Sequence, residues 1–156
     1  MTITLNQPVP GFQGQATSNL IFSMEEMRGY PVVLYFYPKD NTPGCTNEAL
    51  AFRDHYDAFL DLKVVLVGIS RDTIKTHENF KKKFSLPFEL ISDADEKICT
   101  LFDVIKNKKM YGKEVRGIER STFLVDSTGI LKCAWRGVKI DGHVKQILDA
   151  VQGINI

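Results

Sequence analysis

The fold is decided by one stretch of sequence, residues 32 to 46, which reads VVLYFYPKDNTPGCT. Its first part, Val32 to Tyr37, is β-branched and aromatic without polar alternation, which is typical of a central strand covered on both faces. Pro38 ends the strand, because proline has no amide hydrogen to give to a sheet. A helix is predicted from Thr42 to about Leu60, with apolar residues at helical spacing.

The start of this helix carries a cysteine. Thr42 suits the N-cap, and Pro43 suits the first helical position, where its missing N–H costs nothing. Cys45 then falls at the third helical position, facing unpaired backbone N–H groups and the positive end of the helix dipole. Both features favour the thiolate, which is the nucleophilic form of cysteine.

Two simpler interpretations compete with a catalytic one. Free cysteine is usually a small buried hydrophobe, but the neighbours Gly44, Thr46 and Asn47 form no apolar surround for Cys45. We therefore expect an accessible, electropositive site for this thiol. Thr42 is equally well explained as a plain N-cap or as a catalytic residue, and the two roles are compatible.

Size and composition limit the class of protein. A chain of 156 residues supports one sizeable core, so we expect a single domain over residues 1–156. A net charge of +1 gives no overall field for nucleic acid or an anionic membrane. The N-terminus resembles no signal peptide, which favours a cytoplasmic location. Three cysteines without a Cys-x-x-Cys pair fit neither a disulfide scaffold nor a structural zinc site.

Further elements are predicted along the whole chain. Before the central strand we expect a short strand at Gly11–Ala16 and a brief segment at Ser23–Arg28. After the first helix we expect, in order, a strand at 64–70, a helix at 72–84, a strand at 88–91, a helix from Ser92 or Asp93 to Lys106, a basic loop from Lys106 to Arg116, a strand at 118–125, a turn at 126–129, a strand at 130–135 and a helix at 141–151. This order predicts an α/β fold with a central mixed β-sheet flanked by helices.

The other reactive residue types are assigned to structure. Cys133 alternates in phase with Leu131 and Trp135, so we expect it in the core. Cys99 borders an apolar helix stripe and is expected to pack there, with a resolving role after unwinding of its helix as the alternative. The three histidines lie on separate predicted helices without ligand-like spacing, and we expect them at or near the surface: His55, His77 and His143.

The motif Pro38-x-x-x-Thr42-x-x-Cys45 resembles that of the peroxiredoxins, thiol peroxidases with a thioredoxin-like fold. The sequence of residues 37–46, together with GIERSTFLVD at 117–126, is similar to sequences of the peroxiredoxin Q branch, also called bacterioferritin comigratory protein. This resemblance implies that Pro38, Thr42 and Cys45 form the catalytic site together with Arg120. A structural salt bridge of Arg120 to Glu48 or Glu119 is the alternative.

The sequence departs from that family at the resolving cysteine. Many members of the branch carry a second cysteine at the position of Leu50 or near that of Lys81, and neither residue here is a thiol. This departure implies a one-cysteine mechanism, in which an outside thiol reduces the sulfenic acid on Cys45.

The resulting hypothesis is a thiol-dependent peroxidase that reduces hydrogen peroxide and organic hydroperoxides in antioxidant defence. The resemblance implies thioredoxin, or glutaredoxin with glutathione, as reductant, no metal, haem or flavin cofactor, and a monomer with a dimer as the alternative. The competing hypothesis is a peroxide-sensing or chaperone-like binding protein, which would be oxidised once instead of turning over.

Overall fold

The computed structural model describes residues 2–154, without the side chain of Met110. The strands of this part are β1 (Gln13–Ala16), β2 (Ile21–Ser23), β3 (Val32–Phe36), β4 (Val65–Ser70), β5 (Glu89–Ser92), β6 (Ile105–Met110), β7 (Lys113–Ile118), β8 (Ser121–Val125) and β9 (Leu131–Arg136). The α-helices are α1 (Pro43–Asp54), α2 (Tyr56–Asp61), α3 (Ile74–Lys83), α4 (Lys97–Leu101) and α5 (His143–Ile154), and a 3-10 helix covers Met24–Met27.

Seven strands form one mixed sheet in the order β2-β1-β5-β4-β3-β8-β9. β3 pairs parallel with β4, and β4 with β5, whereas β8 and β9 join antiparallel on the other side of β3. The predicted mixed α/β sheet is confirmed. β3 has a neighbouring strand on both sides, so the turn from β3 into α1 follows the carboxyl end of an interior strand.

The strand β3 is buried on both faces, as its uninterrupted apolar sequence predicts. Alternate residues belong to two hydrophobic clusters on opposite faces of the sheet. Leu34 and Phe36 pack into the cluster that also contains Phe123, and Tyr35 and Tyr37 pack into the other. These layers fix the position of the turn that follows the strand.

Two predicted helices are shorter in the structure. The helix expected from Thr42 to Leu60 breaks at His55, which separates α1 from α2. The helix expected to reach Lys106 ends after α4, because Asp103 takes a left-handed conformation with φ 54°. The carboxylate of Asp93, expected as a cap, accepts hydrogen bonds from the N–H groups of Ile98 and Cys99 inside α4.

The basic segment 106–116 was predicted to be a loop, and that prediction is wrong. It forms most of the hairpin β6–β7, whose strands pair from Ile105–Ile118 to Met110–Lys113. Tyr111 and Gly112 both have positive φ, as a tight hairpin turn requires. Solvent covers most of this hairpin, so its strands lack the apolar alternation by which a strand is recognised.

The strand predicted at 118–125 is interrupted at Glu119 and Arg120, which lie between β7 and β8. A bulge between β8 and β9 pairs Leu124 with Cys133 but Val125 with Leu131. Leu131 and Cys133 consequently belong to opposite faces, and Cys133 is half-buried instead of fully in the core.

The expectation of surface histidines is wrong for two of the three. His77 is fully buried and His143 is 4% exposed, and only His55 lies at the surface. Each buried ring has hydrogen-bond partners from distant parts of the chain, which local sequence does not reveal. None of the described helices combines the length and the apolar composition that crossing a bilayer requires.

Candidate active site

The sulfur of Cys45 lies at the amino-terminal end of α1. Thr42 is the N-cap residue and Pro43 begins the helix, so Cys45 is the third helical residue, as predicted. The expectation of an accessible thiol is wrong, because Cys45 is only 2% exposed and belongs to the hydrophobic cluster of Tyr35 and Phe52. That surround comes from β3 and from later turns of α1, not from the residues adjacent to the cysteine in sequence.

Arg120 reaches this buried sulfur from the break between β7 and β8. Its Nη2 donates a hydrogen bond to Cys45 Sγ at 3.5 Å, and its side chain is 17% exposed. Burial of the guanidinium opposes its charge, but the negative charges of Glu48 and Cys45 raise the pKa of Arg120 above its ordinary value. A fixed positive charge therefore lies beside the sulfur.

Glu48 holds the other side of the same guanidinium. Its Oε1 accepts a hydrogen bond from Arg120 Nη1 at 2.6 Å, and its side chain is 1% exposed. Glu48 follows Cys45 by three residues, which brings both onto one face of α1. The salt bridge and the contact with the sulfur were alternatives for Arg120 in the sequence, and the structure contains both.

The carboxyl group of Glu48 is poorly compensated despite this bond. Its Oε2 has no hydrogen-bond partner among the described residues. Burial raises the pKa of Glu48 from 4.5 to about 7, and the neighbouring Arg120 only partly opposes this rise. Glu48 therefore exchanges its proton near neutral pH, beside the group that contacts the sulfur.

Thr42 and Pro38 lie at the two ends of the turn between β3 and α1. The Thr42 hydroxyl makes no capping hydrogen bond and instead donates to the carbonyl of Lys39 at 2.8 Å. Because its proton is used in that bond, the oxygen of Thr42 presents lone pairs to a hydroxyl-bearing ligand. Pro38 lies two residues after the end of β3 and is exposed. The side-chain hydrogen bond to the sulfur comes from Arg120 and not from either of these two residues.

Gly44 provides the space in which the guanidinium lies over the helix start. A Cβ built on this residue would stand 3.2 Å from Arg120 Nη2 and 3.8 Å from Ile140 Cδ1. A side chain here would push the guanidinium away from its contact with Cys45. The absence of a side chain at position 44 thus permits the close approach of cation and sulfur.

The other two cysteines have different surroundings. Cys99 is fully buried, and burial followed by the hydrogen bond to Asp93 raises the pKa of its thiol far above the ordinary value. Burial also raises the pKa of Cys133. Both stay protonated at neutral pH, and neither is a nucleophile comparable to a thiol beside a cation.

This arrangement can bind a small polar molecule that bears both a proton and a leaving oxygen. A nucleophilic sulfur, a cation and a hydroxyl acceptor surround one helix start, where backbone N–H groups also favour negative charge. Sequence reasoning did not assign Glu48 a part in such a site. Its spacing from Cys45 was the available signal.

Comparison with known proteins agrees with this geometry. Residues 5–134 match the model of the AhpC/TSA family. Peroxiredoxin Bcp of Bacillus subtilis is 43% identical over 155 residues, covering 99% of both chains. Peroxiredoxin Bcp of Xanthomonas campestris is 50% identical over 124 residues, covering 80% of this chain and 78% of the relative.

A solved structure extends the similarity to the fold. The bacterioferritin comigratory protein of Xanthomonas campestris, studied for alkyl peroxide reduction with a trapped intermediate, superposes with a TM-score of 0.87 at 43% identity. The match covers 91% of this chain and 90% of that one. The chain therefore belongs to the AhpC/TSA family and is a peroxiredoxin, a thiol-dependent peroxidase of thioredoxin-like fold that uses a peroxide substrate and a thiol reductant.

Proposed function

We propose that Cys45 is the sulfur that this peroxidase oxidises, and that hydrogen peroxide and organic hydroperoxides are its substrates. The thiolate attacks the distal oxygen of ROOH, so that an S–O bond forms as the O–O bond breaks. The sulfur loses two electrons, and the RO⁻ group that departs takes up a proton and leaves as ROH. Cys45 becomes a sulfenic acid.

The contact between Arg120 and Cys45 Sγ at 3.5 Å carries this proposal. A guanidinium beside the sulfur stabilises both the thiolate and the negative charge that develops on the departing oxygen. Thr42 accepts a hydrogen bond from the peroxide O–H with the lone pairs that its own bond to the Lys39 carbonyl leaves available. Glu48 orients the guanidinium from its far side.

We further propose that the sulfenic acid is reduced by an external thiol. Cys99 belongs to the hydrophobic cluster on one face of the sheet and Cys45 to the cluster on the other, so the sheet separates them. Cys133 packs against the same cluster as Cys45, but it lies on β9, two strand spacings or about 10 Å from the strand β3 that leads into the Cys45 turn. A disulfide needs Cα atoms within about 7 Å, which favours an outside partner.

The external thiol completes the cycle in two steps. A first thiol R′SH displaces the sulfenic oxygen as water and leaves a mixed disulfide on Cys45. A second thiol attacks that disulfide, releases the Cys45 thiolate and departs as R′SSR′. Thioredoxin, or glutaredoxin with glutathione, supplies such thiols, and a cytoplasmic location would keep them reduced.

We also propose a domain organisation and an oligomeric state for this chain. We take residues 1–156 as one domain, because a single sheet draws strands from residues 13 to 136. We propose that the functional unit is a monomer, because Cys45, Arg120 and Glu48 contact one another directly and need no group from a second subunit. Sedimentation at assay concentrations tests this second point, and a stable dimer would contradict it.

A steady-state assay with hydrogen peroxide and an alkyl hydroperoxide tests the function. Thioredoxin, glutaredoxin with glutathione, and a small dithiol are compared as reductants. Cys45→Ser should abolish turnover, and Cys133→Ser is the matched control that should retain it. Oxidation of one equivalent without further turnover under all reductants would favour the peroxide sensor instead.

A further inference from the structure

We propose that Asp40 and His77 form a buried pair that holds the turn between β3 and α1 in the geometry that peroxide reduction requires. Both act as positioning residues, because neither reaches the sulfur. The proposal rests on the roles of Thr42 and Cys45 given above. The proposal adds a residue of α3, which lies away from the reacting atoms, to the groups that support catalysis.

Asp40 lies inside the catalytic turn, yet its carboxylate has no exposed surface. Its Oδ1 accepts a hydrogen bond from the Tyr37 hydroxyl at 2.6 Å, and its Oδ2 lies 2.6 Å from His77 Nδ1. Burial of an unpaired carboxylate would be costly. The turn can therefore keep Asp40 buried only because Tyr37 and His77 bind its two oxygens. Tyr37 directly follows β3, and His77 lies within α3.

His77 is fixed from both ends of its ring. Nδ1 faces Asp40, and Nε2 lies 3.0 Å from the carbonyl oxygen of Ile91 in β5. The Ile91 carbonyl can only accept, so Nε2 carries a proton, and a further proton lies between Nδ1 and Asp40 Oδ2. The contact with Asp40 has no solvent exposure, and the ring ties the turn to both α3 and β5.

The turn has an uncommon backbone conformation that side-chain contacts help to hold. Asn41, between Asp40 and Thr42, has φ 62°, a left-handed value that asparagine tolerates better than most residues. The backbone N–H of Asp40 donates to Asp72 Oδ2 at 3.0 Å, which adds a further restraint. Thr42 follows directly, so a relaxed turn would move the hydroxyl that receives the peroxide.

A metal site is the competing explanation of this cluster. Ligand atoms of Asp40, Asp72 and His77 all lie within 4.8 Å of one another. However, the 2.6 Å between His77 Nδ1 and Asp40 Oδ2 is a hydrogen-bond distance, shorter than the roughly 3.3 Å between two tetrahedral ligands that each lie about 2 Å from an ion. Asp72 Oδ2 also accepts hydrogen bonds from Ser70 Oγ and from the Asp40 N–H.

The first test compares His77→Gln with a control of similar burial outside the turn. Val104→Ala removes volume from the cluster on the opposite face of the sheet from Cys45. Rate constants are measured for Cys45 oxidation by hydrogen peroxide and for its alkylation by iodoacetamide, with unfolding free energies in parallel. Alkylation has no need of an oriented peroxide.

For His77→Gln we expect the ratio of the peroxide rate to the alkylation rate to fall about 10- to 100-fold. Val104→Ala should keep the wild-type ratio, whatever stability it loses. If both variants change the ratio equally, His77 acts only through stability and the proposal is wrong. Cys45→Ser in the same series tests the proposed function separately, because it reports whether Cys45 is the oxidised sulfur.

A second variant and a spectrum cover the case in which His77→Gln does not fold. Tyr37→Phe removes one hydrogen bond to Asp40 and keeps the buried ring, so a smaller fall in the same ratio is expected. Nitrogen NMR of the unmodified protein should detect a proton on Nε2 of His77, where the Ile91 carbonyl accepts it. An unchanged ratio in Tyr37→Phe, or a His77 ring without a proton on Nε2, would overturn the proposal.

Discussion

Glu48→Gln should stabilise the protein above neutral pH while slowing its reaction with peroxide. The side chain is 1% exposed, and one of its oxygens has no partner among the described residues. Burial raises the pKa of Glu48 from 4.5 to about 7. Between these values the folded protein binds more protons at this residue than the unfolded chain, so the free energy of unfolding falls as the pH rises.

The magnitude follows from the two pKa values. At about 1.4 kcal/mol per pH unit, ionising Glu48 in the folded state costs about 3 kcal/mol of stability. Its stabilising contribution is complete below pH 4.5 and is lost above about pH 7. Glutamine has a similar shape and never ionises, so the variant should match the wild type in acid and exceed it by about 3 kcal/mol near pH 8.

The assay is urea unfolding of the reduced protein near pH 5 and near pH 8. Groups common to both proteins cancel in the comparison, including His143, whose pKa is lowered by burial. Glu89→Gln, which removes a glutamate paired with Lys81 outside the site, is the matched control. A Glu48→Gln protein with the same pH dependence of unfolding as the wild type would refute the reasoning.

The same variant should react with peroxide about tenfold more slowly, because a neutral amide orients Arg120 less strongly than a carboxylate does. A gain in stability together with a loss of rate would identify Glu48 as a residue kept for activity. Stopped-flow oxidation measures the rate.

Three further outcomes are expected, two for residues around the start of α1 and one for Cys99 in α4. Arg120→Ala and Thr42→Val should each slow the oxidation of Cys45 by roughly one to three orders of magnitude, and an unchanged rate in a folded variant would reassign that residue to structure. Gly44→Ala should slow oxidation without loss of stability, because its Cβ would stand 3.2 Å from Arg120 Nη2 while alanine favours the helix; equal rates would show that the guanidinium has room to move. Cys99→Ser should react with peroxide at the wild-type rate in rapid-quench mass spectrometry, and a slower reaction would give that buried thiol a part in catalysis.

The centre of the fold was predictable because its signals are local. An unbroken apolar run, a proline that ends it and an N-cap threonine placed β3, the turn and the start of α1 from neighbouring residues alone. The position of Cys45 at the third helical residue followed directly. These features depend on backbone preferences that each residue carries wherever it occurs.

The contacts of the site were not predictable in the same way. Glu48 and Arg120 are 72 residues apart, and local sequence left Arg120 with two candidate partners. Burial of Cys45 comes from the sheet beneath it, which its polar neighbours in sequence do not indicate. The bulge that turns Cys133 away from Leu131 is a property of strand pairing, so alternation along one strand correctly grouped Cys133 with Trp135 but wrongly placed Leu131 on the same face.

The most direct test of the one-cysteine mechanism is the intact mass of the reduced protein after one equivalent of hydrogen peroxide without reductant. A sulfenate-trapping reagent is added to a parallel sample, and peptide mapping locates the modified residue. We expect the protein to gain the mass of one oxygen atom and the trapping reagent to modify Cys45. Loss of two hydrogens, with a bridge mapped between Cys45 and Cys99 or Cys133, would contradict it and identify that partner as the resolving residue.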